Sequence, residues 1–137
     1  MKTSARNELY GIITEIQNGQ VMSEIKVDIS PEITLSATIT NEAAHALELR
    51  KGEGVTALVK SSFIILSKEK LRATARNNFL TTVEDIIPGA VNCEVKLSAG
   101  KQTLCAIITD DSCEGLDLKT GDQVYAIFKA SSVMLVA

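Results

Sequence analysis

The clearest signal along the chain is an alternation of apolar and polar positions. From Val21 it is strict: Val21, Ser23, Ile25, Val27 and Ile29 fall on one face, and Met22, Glu24, Lys26 and Asp28 on the other. A period of two over nine residues predicts a half-buried strand. Before it, Asn7 to Ile16 carries Leu9, Ile12, Ile13 and Ile16 and reads as a strand. Its alternation breaks around Gly11, where a bend or a close backbone approach is expected. Gln17-Asn18-Gly19-Gln20 is a turn, with Asn-Gly tolerating positive φ. After Ser30-Pro31-Glu32, a third strand alternates Ile33, Leu35, Ala37 and Ile39 with Thr34, Ser36, Thr38 and Thr40. The period then lengthens over Asn41–Leu49, where Ala43, Ala44 and Leu47 share a face. This predicts a short helix with Asn41 as its N-cap, ended by Arg50-Lys51-Gly52. Val55–Lys60 and Phe63–Leu66 complete the set as two short strands.

The whole pattern then occurs again. At an offset of seventy, Ala5, Arg6, Asn7, Ile16, Gly19, Val21, Glu24 and Lys26 meet identical residues. One deletion near Lys101 changes the offset to sixty-nine, and Thr34, Leu35, Ala37, Thr40, Gly52, Lys60, Ser62 and Leu66 are among those that match. Strands are predicted near Asn77–Ile87, Val91–Ser98, Thr103–Thr109, Gln123–Lys129 and Ser132–Val136. A helix is expected at Asp111–Leu118, with Asp111 and Glu114 as a capping box. Residues 1–69 and 70–137 are therefore read as two tandem modules. The fold class is all-β with short helices: five strands, with a helix between the third and fourth, form a small OB-like five-stranded barrel in each module. A module this small has a marginal core, so burial against the other module or other chains is expected, and with it an oligomer.

Composition narrows the function. A net charge of −3 with 23% charged residues supplies no basic face for duplex nucleic acid. Stacking platforms for single strands are also scarce: there is no Trp, and Phe63, Phe79 and Phe128 lie in apolar strand contexts that suit core packing. No nucleic-acid partner is expected. No apolar stretch follows the Met-Lys-Thr-Ser-Ala-Arg start and no run is long enough to span a bilayer, so neither a signal peptide nor a membrane partner is expected. Cys93, Cys105 and Cys113 form no Cys-x-x-Cys pair, which favours free thiols in a reducing cytoplasm. An enzyme is not expected. The one histidine, His45, lies among alanines without a nucleophile or orienting acid, Asp110-Asp111 suits a helix start, and no Gly-rich phosphate loop is present.

What remains is a repeated supply of small donors. Ser4, Arg6, Thr40, Lys60, Ser61 and Ser62 come from the first module, and Thr74, Arg76, Thr109, Ser112, Lys129, Ser131 and Ser132 from the second. Hydroxyls with one or two cations and no facing carboxylate suit a small tetrahedral oxyanion. The same residues are also explained by solvated strand-end lysines and β-favouring hydroxyls, and repetition alone does not separate the two readings.

A resemblance separates them. Ser4-Ala5-Arg6-Asn7 with Leu9 and Gly11, Ile39-Thr40-Asn41-Glu42, and Ala57-Leu58-Val59-Lys60-Ser61-Ser62 resemble the Mop, or molbindin, domain. Thr74-Ala75-Arg76-Asn77, Gly89–Val95 and Ala126–Val133 give the same pattern in the second copy. The resemblance covers essentially the whole chain and is similar to the tandem, di-domain molbindins of the Mop/TOBE family. It implies binding, storage and homeostasis of molybdate, or tungstate, in the cytoplasm, or alternatively a molybdate-sensing module that docks on a transporter or regulator. It also implies a homotrimer, with oxyanions held between modules. The implied oxyanion-binding residues are Ser4, Arg6, Thr40, Lys60 and Ser61, then Thr74, Arg76, Thr109, Ser112, Lys129, Ala130 and Ser131. No direct metal ligand is implied, the metal entering as its oxyanion. Two departures stand out: Thr74 replaces the usual serine, and Ala43 stands where Ser112 keeps a hydroxyl.

Overall fold

In the computed structural model, which describes residues 3–137, the alternating stretches become strands. The first repeat gives β1 (Arg6–Asn18), β2 (Met22–Ser30), β3 (Ile33–Thr40), α1 (Asn41–Ala46), β4 (Gly54–Lys60) and β5 (Ile65–Ser67). The second gives β6 (Asn77–Ile87), β7 (Asn92–Ala99), β8 (Gln102–Thr109), α2 (Asp110–Gly115), β9 (Gln123–Phe128) and β10 (Met134–Val136). In β2, Ser23, Ile25, Val27 and Ile29 are buried while the residues between them face outward, as the alternation requires. Against β2 the register of β1 slips between Ile13 and Glu15, and β6 slips at the matching place, between Val83 and Asp85. An extra residue on one strand raises the local twist, which curls each sheet. Gly11 is a close approach rather than the bulge itself: a Cβ there would lie 2.4 Å from the Asp28 carbonyl oxygen.

The two five-stranded sheets run β10-β4-β1-β2-β3 and β5-β9-β6-β7-β8. The last strand of each repeat therefore completes the sheet of the other. Leu135 pairs opposite Ala57, and Leu66 opposite Ala126. β10 also lies against β3, and β5 against β8, so each sheet curls until its edges meet in the OB-like manner. One continuous apolar cluster spans both sheets, from Leu9 and Val27 through Leu66 to Val95 and Leu135. Exchange of terminal strands fuses two small cores into one, which relieves the marginal burial of either alone.

Between the sheets one contact occurs twice, while Gln102, which donates to Tyr10 O at 2.9 Å and to Ile29 O, has only Ile33 in the matching place. The buried Asn7 side chain accepts from Cys105 N at 2.7 Å and donates to Cys105 O at 2.9 Å. Its counterpart Asn77 accepts from Ser36 N at 2.8 Å and donates to Ser36 O at 2.9 Å. Each amide thus acts as one rung of a ladder between β1 and β8, or between β6 and β3, and satisfies backbone groups that burial would otherwise leave unpaired.

Several local expectations change. The helices span Asn41–Ala46 and Asp110–Gly115, shorter than the sequence predicts, and their N-caps are Thr40 and Thr109, not Asn41 and Asp111. The Thr40 hydroxyl accepts from Ala43 N at 3.0 Å and the Thr109 hydroxyl from Ser112 N at 3.1 Å. The Asn41 amide is committed elsewhere, to the Gly19 carbonyl at 2.8 Å and the Ser23 hydroxyl. Chain direction then reverses through left-handed Glu48 and Asp117, followed by Gly52 and Gly121 at φ of 94° and 95°. Ser61–Phe63 and Ala130–Ser132 form 3-10 turns instead of opening the final strands. Phe128 is buried and meets Phe79 edge-on at 5.9 Å, whereas Phe63 sits on its turn half-exposed beneath the Lys60 ammonium.

Candidate functional site

The donors lie at strand and helix ends, and nearly all are exposed. Arg6 opens β1 directly opposite Lys60, the last residue of β4. It does so in the left-handed region, at φ 74°, a conformation uncommon for a residue with a Cβ. Ser61 follows Lys60 into the 3-10 turn and is buried, while Ser4 precedes Arg6 and is exposed. In the second half Arg76 lies just before β6, whose Asn77 pairs with Phe128, so Arg76 stands beside Lys129. Thr74 and Lys129 border one depression of about 320 Å³. Ala130, in the place of Ser61, is buried and Ser131 exposed. Among the described residues neither Lys60 nor Lys129 has a carboxylate within ion-pair distance, which leaves both ammonium groups available to an anion.

A second group of donors gathers where a turn of one repeat packs on a strand of the other. The first 3-10 turn lies on β8, and the second on β3. The first contact makes a groove of about 580 Å³ that holds Ser62 together with Thr109 and Ser112. There the Thr109 hydroxyl donates to the Ser112 hydroxyl at 2.8 Å. The second makes a groove of about 430 Å³ holding Ser131 and Ser132, with Ala43 in the position of Ser112. Thr40 caps its helix nearby and is exposed. Among the described residues, none of the five main depressions brings an arginine, a lysine, the helix-capping threonine and its serine together. The geometry is that of separate clusters on the outer surface.

Two features lay outside the sequence reading. The arginines do face carboxylates: Arg6 is bound to Glu94 and Arg76 to Glu24, across the line between repeats. The asparagines of the same phrase dock the sheets. In both cases a signal existed, since Asn7, Asn77, Glu24 and Glu94 are identical across the repeat while neighbours such as Glu8 and Asn78 are not. Thiol chemistry is muted. Burial, a hydrogen bond with the Cys113 thiol, and the nearby Cys113 and Asp110 charges push Cys93 up to about 12. Burial also raises Cys105, against the opposing pull of Arg6 and Lys96. Among the described residues no three His, Cys, Asp or Glu side chains are grouped to hold a metal ion. No helix there is long and apolar enough to cross a membrane.

Comparison with known proteins agrees with this organisation. The TOBE domain matches twice, over residues 3–66 and 73–135. The molybdenum transport protein ModE of Azotobacter vinelandii is 44% identical over 98% of this chain and 51% of its own length. The molybdenum-pterin-binding protein MopA of Rhodobacter capsulatus is 35% identical over 98% of this chain and 52% of its own. The chain thus spans about half the length of the curated relatives it matches. Among solved structures, the cytoplasmic molybdate-binding protein ModG, crystallised with molybdate bound, superposes with a TM-score of 0.93 at 35% identity, covering 98% of both chains. Strand order, repeat and sequence agree: the chain belongs to the TOBE domain family and carries two tandem copies of that domain.

Proposed function

We propose that this chain binds molybdate, or the isostructural tungstate, reversibly and without chemistry on the anion, and serves as a cytoplasmic store that buffers its supply. The observation that carries the reading is the pairing of Arg6 with Lys60 at the ends of neighbouring strands, with the exposed Ser4 on one side and the buried Ser61 on the other. Such donors replace a hydration shell, and charge-assisted bonds strengthen once water is excluded. The likeness to ModG and MopA supports the choice of anion.

Exclusion of water requires a cover. The clusters built from Ser4, Arg6, Lys60 and Ser61, and from Thr74, Arg76, Lys129, Ala130 and Ser131, act as half-sites. Thr40, Thr109 and Ser112 supply the other half from a neighbouring module. Exposed apolar side chains beside these clusters, Phe63, Ile65 and Met134 among them, favour a homo-oligomer, read as a trimer. Calorimetric titration of the purified chain with sodium molybdate and sodium sulfate, paired with native mass spectrometry, tests the proposal. Saturable heat with molybdate and a three-chain assembly are expected; no heat from an intact oligomer overturns it.

A second reading is favoured by the match to half of ModE, and it makes this unit a molybdate-responsive module that docks on a regulator or transporter. Affinity capture from lysate with and without molybdate distinguishes the two, because a store needs no partner that depends on the anion.

A further inference from the structure

Two carboxylates at the same repeat position take no part in the donor set above. Arg76 Nη1 donates to Glu24 Oε1 at 3.2 Å and lies 3.0 Å from Oε2. Arg6 Nη2 donates to Glu94 Oε1, which also accepts from the Cys105 thiol at 3.0 Å. Each pair crosses from one repeat to the other. In each, one guanidinium nitrogen carries the ion pair, so the remaining edge of the fork has no carboxylate on it. The carboxylates are the more deeply set members, with side-chain exposures of 17% and 20% against 61% and 47% for their arginines.

A pair with so exposed a cation contributes little to stability. Docking of the two sheets is already provided by Asn7 and Asn77. The effect on an approaching anion is larger, because a guanidinium neutralised by a carboxylate attracts a dianion only as a dipole. A carboxylate and an oxyanion also present the same kind of acceptor to the guanidinium fork, and compete for it.

We infer that Glu24 and Glu94 are internal counter-ions that set the affinity of the two oxyanion half-sites, an inference that rests on the oxyanion reading of those sites. Each holds its arginine until a dianion displaces it, and recaptures it on release. Monovalent anions carry no advantage in charge over the fixed carboxylate and do not displace it. A dianion does, and its retention is tempered by the same competition.

The test is titration of the full chain with sodium molybdate, comparing the parent protein with Glu94→Gln and Glu24→Gln. Glutamine keeps the shape and one acceptor oxygen while removing the charge. Each substitution is expected to tighten binding about tenfold, ~1.4 kcal/mol, and to make it more sensitive to ionic strength, with thermal melting unchanged. Unchanged or weaker binding by variants that melt like the parent overturns the inference. A second measurement needs no variant. In carbon- and nitrogen-labelled parent protein, molybdate should move the Arg6 and Arg76 guanidinium signals together with the Glu24 and Glu94 carboxylate signals. Carboxylates that stay fixed at saturation overturn the inference even if the variants misfold. Failure of the parent to bind molybdate at all overturns the oxyanion reading itself, and the inference with it.

Discussion

The seam between the sheets and the grooves beside the helices are built from the same repeat, yet they have kept different degrees of symmetry. At the seam the asparagines correspond: Asn7 on Cys105 matches Asn77 on Ser36, donor for donor and acceptor for acceptor, and Gln102, bonded to Tyr10 and Ile29 where the other repeat has Ile33, departs from the pattern. In the grooves it is broken. Ser112 and Thr109 form a hydroxyl pair beside α2, whereas Ala43 leaves Thr40 alone beside α1. Backbone-directed contacts tolerate a change of partner side chain, so Cys105 and Ser36 serve equally well. A ligand-facing contact would depend on the side chain itself. The difference separates positions that hold the fold from those proposed to tune the sites.

The largest effect should come from the seam. Asn7→Ala and Asn77→Ala each strip partners from one N–H and one C=O of the facing sheet, Asn7→Ala also losing a bond to Val59 O, and should each cost about 2–4 kcal/mol in urea unfolding. Near-equal losses are expected from the two halves. A large loss from one and none from the other would break the symmetry argued above.

Next in size is an alkaline effect confined to the second half. Cys93 is raised from 9.0 to about 12, and Ser23 occupies its place in the first repeat. The unfolded chain loses this proton first, so the contribution is intact below pH 9 and declines as pH rises towards 12. The slope is about 1.4 kcal/mol per pH unit at most. Denaturant melts from pH 8 to 11 should show the decline in the parent and a shallower one in Cys93→Ser. Identical slopes would mean that the thiol is not the titrating group.

Smaller still is the groove difference. Ser112→Ala should weaken one class of molybdate site about three- to tenfold, roughly the worth of one hydrogen bond. Ala43→Ser should strengthen the other by a comparable factor. Titration calorimetry on both variants reads this directly, and an unchanged isotherm for both would place these hydroxyls outside the sites.

Much of this was legible in the sequence, for physical reasons. Alternation from Ser23 to Ile29 marks a strand because one face is buried, although Val21 itself lies exposed before β2, and the seventy-residue offset exposes the repeat. Strand exchange was not legible. β5 and β10 are three-residue strands with the same outward–inward pattern, and either satisfies β4 or β9 equally. The helix caps differ from the sequence expectation because Thr40 and Thr109 also fit the end of a β-branched strand. For the site, repetition marks the hydroxyls and cations as candidates without separating an anion site from solvated strand ends, and the role of the carboxylates on the arginines needs the fold. Glu24 and Glu94 alternate with buried residues along their strands and look like ordinary solvent-facing positions until the other repeat is placed beside them.

The central claim is that two related but unlike half-sites, seated on a seam pinned by matching asparagines, bind one kind of oxyanion. Calorimetric titration of the intact oligomer with molybdate tests it most directly. Two resolvable classes of site are expected, the tighter one weakened by Ser112→Ala and the other unaffected. A single class insensitive to Ser112→Ala, or no binding, would contradict it.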